Sequence, residues 1–327
     1  MIVSRTPHRI SFFGGGTDYP SYYLKFGGKV LGVAIDKYCY LNVRYLPPFF
    51  EHKHRIVYSK IENINELELI DHPSVRETLK YLNVDFGVSI HHDGDIPAKS
   101  GMGSSSAFTV GLLKSMHAIH GKMISKDQLT KEAIHIEQNL IKENVGSQDQ
   151  TFAAYGGFNS IDFLPNGEIV VNPIIITGER LHNLENNFLL YFSGISRIAS
   201  EVAKDQIQNI TKNESNLHEM KNLVNEAYRI LTGNGNIDEF GELLNYTWKL
   251  KKSLSNKITN SEVDKMYDLA MNAGAIGGKL LGAGGGGFMV FYVNQKNKPS
   301  VQNALKNYLN IPFRFDFEGS QVIVYKP

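Results

Sequence analysis

The sequence predicts an α+β protein of two domains, and three observations support that class. The chain has 327 residues, a length that fits two domains or one large one. Runs typical of strands precede runs typical of helices, and this order occurs twice. Strands and helices do not alternate regularly, as they would in a doubly wound parallel sheet. We therefore expect two α+β domains, over residues 1–178 and 179–327.

The elements of the first half follow from residue periodicity. Val and Ile recur over residues 29–45, which predicts one strand, or two strands separated at Asp36-Lys37. After two shorter strand signals, small and apolar residues recur with helical spacing. The predicted elements are strands at 29–45, 55–59 and 86–91, helices at 104–120 and 125–142, and a hairpin around Pro165-Asn166-Gly167.

The second half contains more helix than the first. Apolar residues keep a helical period from residue 196 to residue 273, and glycine, serine and asparagine interrupt it. Strand signals lie on both sides of this helical region. The predicted elements are a strand at 188–192, about four helices between 196 and 273, strands at 288–293 and 321–325, and a helix near 300–309.

Composition excludes several classes of protein. The 34 Lys and Arg residues balance 33 Asp and Glu residues, so we expect no nucleic-acid partner. Cys39 is the single cysteine, which excludes an intramolecular disulfide and indicates a reducing compartment. Charged residues near the amino terminus and the lack of a long apolar run predict neither a signal peptide nor a membrane span. We therefore expect a cytoplasmic protein with no membrane partner.

The first of three glycine clusters, Gly14-Gly15-Gly16, ends a strand-like run. Three glycines let the backbone approach a ligand closely, and Asp18, which follows them, can accept hydrogen bonds from hydroxyl groups. The alternative interpretation is a tight turn with Asp18 as its cap.

The second cluster lies in IPAKSGMGSSSAF, residues 96–108, where a glycine-rich loop runs directly into a predicted helix. The N–H groups at such a helix start, together with the helix dipole, favour an anion. The three serines add hydroxyl groups that can bind phosphate or a metal ion. The pattern predicts a phosphate site, and the alternative is a capped helix with a flexible loop before it.

The third cluster, in residues 277–293, formally contains G-x-G-x-x-G at Gly282, Gly284 and Gly287. That fingerprint needs a strand before it and a helix after it, whereas a strand is predicted to follow here. Dinucleotide binding is therefore not expected. We expect the loop to form a wall of a ligand site by close approach of its backbone.

Two acidic residues are candidates for chemistry. Glu137 lies on a predicted helix, and Asp149 lies in Gly146-Ser147-Gln148-Asp149-Gln150, which opens the next helix. A carboxylate among amides is suited to orienting a hydroxyl group or taking its proton, and a second carboxylate can hold Mg²⁺. Each of them alone is more often a surface acid.

These four segments in this order resemble the GHMP kinase family, named for galactokinase, homoserine kinase, mevalonate kinase and phosphomevalonate kinase. The resemblance spans almost the whole chain. It implies a ribosomal protein S5 domain 2-like amino-terminal domain and a ferredoxin-like α+β carboxy-terminal domain, with ATP along the second-motif loop in the cleft between them. That motif, P-x-x-x-G-[LM]-G-S-S, is matched by Pro97, Gly101, Met102, Gly103, Ser104 and Ser105.

The resemblance also implies roles for individual residues. It makes Asp149 the catalytic aspartate with Arg9 beside it, and it makes Ser105 and Glu137 the ligands of Mg²⁺. Asp18 matches a sugar-binding aspartate. The implied nucleotide contacts are Pro97, Lys99, Gly101, Met102, Gly103, Ser104, Ser105 and Ser106, and the implied substrate contacts are Gly15, Gly16, Asp18, Tyr19, Gly284 and Gly285.

The resemblance favours an acceptor sugar that already carries a phosphate. Galactokinases have Gly-Glu-His where this sequence has Gly14-Gly15-Gly16, which disfavours galactose. GGGTDYP resembles instead the heptose-phosphate kinase branch, which phosphorylates the anomeric oxygen. A phosphorylated acceptor needs a second anion site, and Ser196 and Arg197 at a predicted helix start are the candidates. The alternative for Arg197 is a solvated helix face.

We therefore expect ATP, Mg²⁺ and a sugar phosphate as ligands, in a monomer or a homodimer. A kinase for another sugar, such as fucose, is the alternative within the family. A catalytically silent regulator is the alternative in another class, and the joint presence of Arg9, Glu137 and Asp149 argues against it. The hypothesis of a dinucleotide-dependent oxidoreductase rests only on the formal G-x-G-x-x-G match that begins at Gly282.

Overall fold

A computed structural model describes residues 1–98, 100–195 and 199–326. The strands are β1 (Ile2–Phe13), β2 (Gly28–Tyr45), β3 (His54–Val57), β4 (Ile61–Ile64), β5 (Val88–Gly94), β6 (Phe158–Phe163), β7 (Ile169–Pro173), β8 (Phe188–Phe192), β9 (Gly277–Leu280), β10 (Phe288–Tyr292), β11 (Leu309–Asn310), β12 (Phe315–Asp316) and β13 (Gln321–Tyr325). The helices are α1 (Pro20–Phe26), α2 (Pro73–Tyr81), α3 (Ser104–Ile119), α4 (Lys126–His135), α5 (Gln148–Tyr155), α6 (Gly178–Asn186), α7 (Ala199–Gln208), α8 (Glu214–Thr232), α9 (Glu239–Ser253), α10 (Ser261–Asn272) and α11 (Lys298–Ala304). The α+β class is confirmed, since β3 with β5 is the one parallel strand pair among these residues.

The long strand β2 organises the first sheet, whose strand order is β13-β1-β2-β5-β3-β4. β6 also pairs with β2, and β7 pairs with β6. Residues 29–45 lie in one strand, which resolves the choice between one strand and two. Asp36 and Lys37 fall where the register against β1 shifts, between Pro7 and His8. They bulge from the ladder without ending the strand.

The end of the chain returns to the first sheet. β13 pairs with β1, and β12 pairs with β2. The last two strands therefore belong to the sheet of the amino-terminal half, although they follow the predicted boundary at residue 178. The division into 1–178 and 179–327 stays a prediction, and the strand pairing shows that the chain crosses back over it.

The second sheet has the strand order β11-β8-β10-β9, and α9 packs closely along β9. Gly277 on the strand and Gly241 on the helix permit this approach. A Cβ atom on Gly277 would lie 1.9 Å from the carbonyl oxygen of Gly241. Because neither residue has a side chain, the two backbones meet directly. The later turns of α9 therefore lie beside the end of β9.

An apolar cluster connects the two sheets. Phe12 near the end of β1 stacks on Phe188 of β8, with ring centroids 4.9 Å apart. Phe240 of α9 contacts Phe12 and Phe13 edge-on, at centroid distances of 5.4 and 5.0 Å. Such aromatic pairs bury a large apolar area in a defined geometry. The end of β1 is thereby held against α9 and the second sheet.

Most predicted elements are confirmed, including four helices between residues 199 and 272 and the hairpin of β6 and β7. The helix predicted over 125–142 differs, because α4 passes into a π-helical turn, Ile136–Leu140. Single π-helical turns often occur at functional sites. In the described part of the chain, no helix combines the length and the apolar character needed to cross a membrane.

Candidate active site

A cavity of about 260 Å³ lies between the two sheets. Its walls come from β1 and the glycines after it, the loop before α3, the start of α5, helix α9 and the loop after β9. The lining residues that the sequence predicted from the glycine-rich loop and the start of α3 are Gly101, Gly103, Ser104, Ser105 and Ser106. Those from the other segments are Arg9, Gly15, Gly16, Asp18, Tyr19 and Asp149. Segments that are far apart in sequence therefore meet at one cavity.

The loop before α3 has the geometry of an anion site. Gly101 and Gly103 adopt left-handed φ values of 80° and 72°, and Gly103 is the N-cap of the helix. Gly103 has no side chain to cap the helix, so the N–H groups of the first turn are available to a ligand. They lie at the positive end of the helix dipole. This arrangement suits the phosphates of a nucleotide.

The third glycine cluster supports that loop by direct backbone contact. A Cβ atom on Gly101 would lie 2.7 Å from the carbonyl oxygen of Leu281, and one on Gly282 would lie 2.5 Å from the Cα atom of Gly101. Any side chain at either glycine would push the two loops apart. The cluster forms a wall of the cavity, as the sequence predicts, through Gly282 and Ala283.

Gly284 and Gly285, which were predicted to contact substrate, do not line the cavity. The backbone N–H of Gly285 donates to the carbonyl oxygen of Ile258 at 2.8 Å. A Cβ atom on Gly284 would lie 2.8 Å from the Cα atom of the same residue. Both glycines are buried. The prediction is corrected because the loop turns into the protein after Ala283.

Arg9 and Asp149 form a two-point ion pair. The Nε of Arg9 donates to Oδ1 of Asp149 at 2.9 Å, and Nη2 donates to Oδ2 at 2.8 Å. Nη1 donates to the carbonyl oxygen of Gly101 at 2.7 Å. The Arg9 side chain is 5% exposed and that of Asp149 is 26% exposed, so the carboxylate is the accessible member. The guanidinium fork fixes the orientation of Asp149 relative to the glycine-rich loop.

Asp18 is a buried carboxyl group held by backbone N–H groups. The N–H of Gly16 donates to Oδ1 at 3.0 Å, and that of Gln148 donates to Oδ2 at 3.4 Å. Burial raises the pKa of Asp18, and the negative charge of Asp149 raises it further. A Cβ atom on Gly146 would lie 1.9 Å from Oδ2 of Asp18. Glycine is therefore required at position 146 for the first glycine cluster to pack against the start of α5.

Glu137 lies next to Ser106 and not next to Ser105. The Oγ of Ser106 donates to Oε2 of Glu137 at 2.8 Å, and the side-chain amide of Gln150 donates to the same oxygen. Ser105 is exposed on the first turn of α3, because an α-helix with 3.6 residues per turn points adjacent side chains in different directions. The structure thus places Ser106, and not Ser105, in hydrogen-bond contact with Glu137. Ser105 lines the cavity, and its assignment as a Mg²⁺ ligand stays a prediction.

The residues around Glu137 fit a Mg²⁺ ion. Its Oε1 is buried and has no hydrogen-bond partner among the described residues, and burial raises the pKa of Glu137 to about 7. Mg²⁺ prefers oxygen ligands and is commonly held by one or two carboxylates plus substrate phosphates. The described residues contain no group of three acidic, His or Cys side chains suited to hold a metal. Phosphate oxygens of a nucleotide would therefore have to complete the site.

Five other residues were predicted to contact the nucleotide or the substrate, and those of them that the structure describes are not among the residues that line the cavity. Lys99, Ser196 and Arg197 lie outside the described residues. Pro97 is exposed, Met102 is buried, and neither lines the cavity. The carbonyl oxygen of Met102 accepts the backbone N–H of Arg9 at 3.4 Å. The chain at Met102 is therefore connected to β1 even though its side chain does not reach the cavity.

Two lysines that line the cavity were not predicted from the sequence. Lys251 on α9 and Lys279 on β9 both line the cavity, and both are buried. Lys251 continues a buried face of α9 that includes Leu244 and Trp248, at helical spacing. A lysine at a position of an apolar stripe is the signal that could have identified it. Lys279 lies in a strand whose four residues are all buried.

The chain matches two family descriptions. GHMP kinases N terminal domain matches residues 72–157, and GHMP kinases C terminal matches residues 220–311. The first match includes the glycine-rich loop and Asp149, and the second includes Lys251 and the third glycine cluster. The chain therefore belongs to the GHMP kinase family, and the predicted class of ATP-dependent kinase is confirmed.

Individual relatives are similar over most of this chain. D-glycero-α-D-manno-heptose 7-phosphate kinase of Campylobacter jejuni is 29% identical over 316 residues, with 93% of each chain covered. The crystal structure of a D-glycero-D-manno-heptose 1-phosphate kinase from Bacteroides thetaiotaomicron has a TM-score of 0.81 at 25% identity and covers 100% of both chains. The bifunctional fucokinase/GDP-fucose pyrophosphorylase of Arabidopsis thaliana is 25% identical over 89% of this chain and 30% of that protein. These similarities support a sugar kinase.

Proposed function

We propose that the protein transfers the γ-phosphoryl group of ATP to the anomeric oxygen of D-glycero-α-D-manno-heptose 7-phosphate. The product is the 1,7-bisphosphate, which would supply GDP-heptose for capsule or other surface glycans. The observation that carries the proposal is the Arg9–Asp149 ion pair, held beside an anion-binding loop in one cavity. The similarity to the heptose 7-phosphate kinase of Campylobacter jejuni supports the choice of acceptor.

In this proposal Asp149 orients the anomeric hydroxyl group and accepts its proton. That hydroxyl is more acidic than an ordinary alcohol, which favours the transfer of its proton to a carboxylate. The anomeric oxygen forms a bond to the γ-phosphorus, the bond from that phosphorus to the β–γ bridging oxygen breaks, and ADP leaves. Arg9 keeps Asp149 in position and adds a positive charge near the transferred group.

The phosphates of ATP bind at the start of α3. The free N–H groups of its first turn contact the phosphate oxygens from one side. Ser106 and Glu137 would hold Mg²⁺ beside them, and the bound ion would neutralise charge on the β and γ phosphates. The unpartnered Oε1 of Glu137 supports this assignment.

The acceptor sugar binds near the first glycine cluster. Asp18 accepts hydrogen bonds from its hydroxyl groups, and Tyr19 contributes to the same wall. Gly15 and Gly16 leave space beside Asp18 where galactokinases carry larger side chains. That space supports an acceptor whose substituent at C5 is larger than the hydroxymethyl group of galactose.

Fucose is the second candidate acceptor within the family. The similarity to the fucokinase part of the Arabidopsis thaliana enzyme favours it. A catalytically silent regulator is disfavoured, because a protein that only binds its ligand has no need of the two-point ion pair that orients Asp149.

A coupled ADP-release assay tests the proposal. The acceptors are D-glycero-α-D-manno-heptose 7-phosphate, the unphosphorylated heptose, fucose and galactose, each with ATP and Mg²⁺. We expect the heptose 7-phosphate to have the highest kcat/KM. Phosphorus NMR of the product should show a second phosphate ester coupled to the anomeric proton. A higher kcat/KM with fucose would transfer the assignment to a fucose kinase, and no ADP release with any of them would refute a kinase for these sugars.

A further inference from the structure

Two buried ammonium groups face the cavity with hydrogen-bond donors to spare. Lys251 is 8% exposed and Lys279 is 2% exposed. The Nζ of Lys251 donates to the carbonyl oxygens of Leu280 at 2.9 Å and Gly282 at 2.5 Å. The Nζ of Lys279 donates to the carbonyl oxygen of Phe12 at 2.8 Å. Since an ammonium group has three donors, Lys251 keeps one donor and Lys279 keeps two.

Among the described residues, neither lysine has a carboxylate partner. Within residues 1–98, 100–195 and 199–326, the hydrogen bonds of both ammonium groups go only to backbone carbonyl oxygens. The carboxylate of Asp149 is already paired with Arg9. A buried cation without an anionic partner is costly. The cavity therefore has two basic groups whose protonated forms no acidic side chain of the described residues pairs with.

The same environment shifts the titration of both groups. Burial and, to a smaller extent, the positive charge of Arg9 lower the pKa of Lys251, the negative charge of Asp18 opposes them, and the resulting pKa is about 7. Burial also lowers the pKa of Lys279 well below its ordinary value, and the charges of Lys251 and Arg9 act in the same direction. An anionic ligand between the two lysines would reverse these shifts.

We propose that Lys251 and Lys279 form a cationic subsite that binds phosphate oxygens of a substrate in the cavity. The proposal rests on the proposed kinase function and deepens it, because it assigns phosphate recognition to α9 and β9. A phosphate monoester presents three oxygens that can accept hydrogen bonds, which matches the three unused donors. Charged hydrogen bonds of this kind are roughly twice as strong as neutral ones.

The position of the subsite allows two sources for that phosphate. Lys251 contacts Gly282, which in turn contacts Gly101 of the anion-binding loop. The γ-phosphoryl group of ATP can therefore reach the subsite. Asp18 lines the same cavity as Lys251, so the phosphate of the acceptor sugar can reach the subsite as well. The chemistry is the same in both cases, and kinetics separate the two sources.

The experiment uses charge-removing substitutions in the full-length chain. Lys251→Gln and Lys279→Gln keep a side-chain donor for the backbone carbonyl groups and remove the positive charge. Lys251→Met is a second variant that removes both. Lys249→Met is the matched control, since Lys249 is an exposed residue of the same helix. Thermal melting identifies the variants that remain folded.

The first measurement is calorimetric titration at pH 8 with inorganic phosphate and, separately, with the ATP analogue AMP-PNP and Mg²⁺. At that pH Lys251 is mostly neutral in the free protein, because burial lowers its pKa to about 7. Binding of a phosphate should raise the pKa and draw protons from the buffer, which two buffers of different ionisation enthalpy reveal. The other charged groups of the cavity, Arg9, Asp18, Glu143 and Asp149, are retained in every variant. We expect each Gln variant to lose part of the proton uptake and about 10- to 100-fold in phosphate affinity.

The second measurement separates the sources of the phosphate. If the acceptor phosphate binds the lysines, Lys251→Gln raises KM for heptose 7-phosphate and leaves KM for the unphosphorylated heptose unchanged. If the γ-phosphoryl group binds them, kcat falls by the same factor with both sugars. Either result supports the subsite. Folded Gln variants with wild-type kinetics, phosphate affinity and proton uptake overturn it.

The design also separates this proposal from the proposed function. The titrations need no acceptor sugar. A wild-type protein that leaves heptose 7-phosphate unchanged but takes up protons with phosphate, in a manner that depends on Lys251, refutes the acceptor and supports the subsite. A wild-type protein that phosphorylates heptose 7-phosphate, together with folded Lys251→Gln and Lys279→Gln variants that do so equally well, supports the acceptor and overturns the subsite.

Discussion

At the residue scale, the chemistry of the site depends on how neighbouring groups hold each acid. Asp149 is accessible and fixed in orientation by Arg9, whereas Asp18 is buried and held by backbone N–H groups. Glu137 is also buried, and its Oε1 has no hydrogen-bond partner among the described residues. Asp18 and Asp149 line the cavity, and Glu137 contacts Ser106 of its wall. The three carboxyl groups thus differ in exposure and in partners, and these differences support different roles.

Replacing Asp149 by Asn tests its role as the proton acceptor. Asn has nearly the same size, but it cannot take the proton and it loses the charged contact with Arg9. We expect kcat to fall by about 10²- to 10⁴-fold, with little change in the dissociation constant of ATP. Steady-state kinetics and nucleotide titration measure the two quantities.

Asp162→Asn is the matched control for that substitution. Asp162 is 28% exposed, against 26% for Asp149, and it pairs with Lys29 away from the cavity. We expect wild-type kcat from the control. If Asp149→Asn retained most of its turnover, another group would have to accept the proton.

Replacing Glu137 by Gln tests the buried carboxyl group through pH. The pKa of Glu137 is raised from 4.5 to about 7, so the folded protein binds this proton more tightly than the unfolded chain does. Glu137 therefore lowers stability progressively as pH rises from 4.5 to about 7. Gln carries no such charge. In Mg²⁺-free buffer we expect the variant to melt several degrees above the wild type at pH 8, and at the same temperature near pH 4.

Glu132→Gln is the control, because the pKa of Glu132 is shifted in the opposite direction to that of Glu137. Burial raises the pKa of Glu132, but hydrogen bonds from His117 and Gln128 outweigh that effect, and the pKa is lowered overall. This substitution should lower the melting temperature at neutral pH. A Glu137→Gln protein whose stability relative to the wild type did not change with pH would contradict the raised pKa.

At the scale of elements, the start of α3 depends on glycines that no other residue replaces without strain. Gly103 has a φ of 72°, and a Cβ atom there would lie 3.2 Å from Oδ2 of Asp149. Gly103→Ala should therefore do two things. It should lower the free energy of unfolding by about 1–2 kcal/mol through left-handed strain, and it should lower kcat by up to about 100-fold through displacement of Asp149.

Gly121→Ala separates these two effects. Gly121 has a left-handed φ of 67°, and a Cβ atom there would have nothing within 4 Å. Its Ala variant should show the strain in denaturant unfolding but keep the wild-type kcat. An equal loss of kcat in both variants would mean that the contact with Asp149 has no catalytic effect.

Also at this scale, the glycine-rich loop and α3 were predicted correctly because their signal is local. Glycines followed by serines at a helix start reveal an anion site without knowledge of the rest of the chain. The π-helical turn after α4 left no such signal. It depends on the packing around Glu137, whose partners Ser106 and Gln150 lie on two other helices.

At the scale of the whole molecule, the two halves share strands and an apolar cluster. β13 completes one edge of the first sheet, and Phe12 packs on Phe188 and Phe240 of the second half. A fragment of residues 1–178 would lose both contacts and expose apolar surface. We expect it to show no cooperative thermal transition by far-ultraviolet circular dichroism. Co-expression with residues 179–327 should restore the transition, and a cooperative transition of the fragment alone would support an independent domain.

The sequence by itself determined the α+β class, the family, the glycine-rich loop before α3, and the candidacy of Arg9, Asp18 and Asp149, because a short segment carries the signal for each of them. Only the tertiary structure decided that Ser106 contacts Glu137, that the glycine wall ends at Ala283, and that the cavity includes Lys251 and Lys279. The physical reason is that these contacts join residues brought together by strand pairing and by the aromatic cluster. The apolar side of α9 alone does not reveal that its buried lysine faces a cavity.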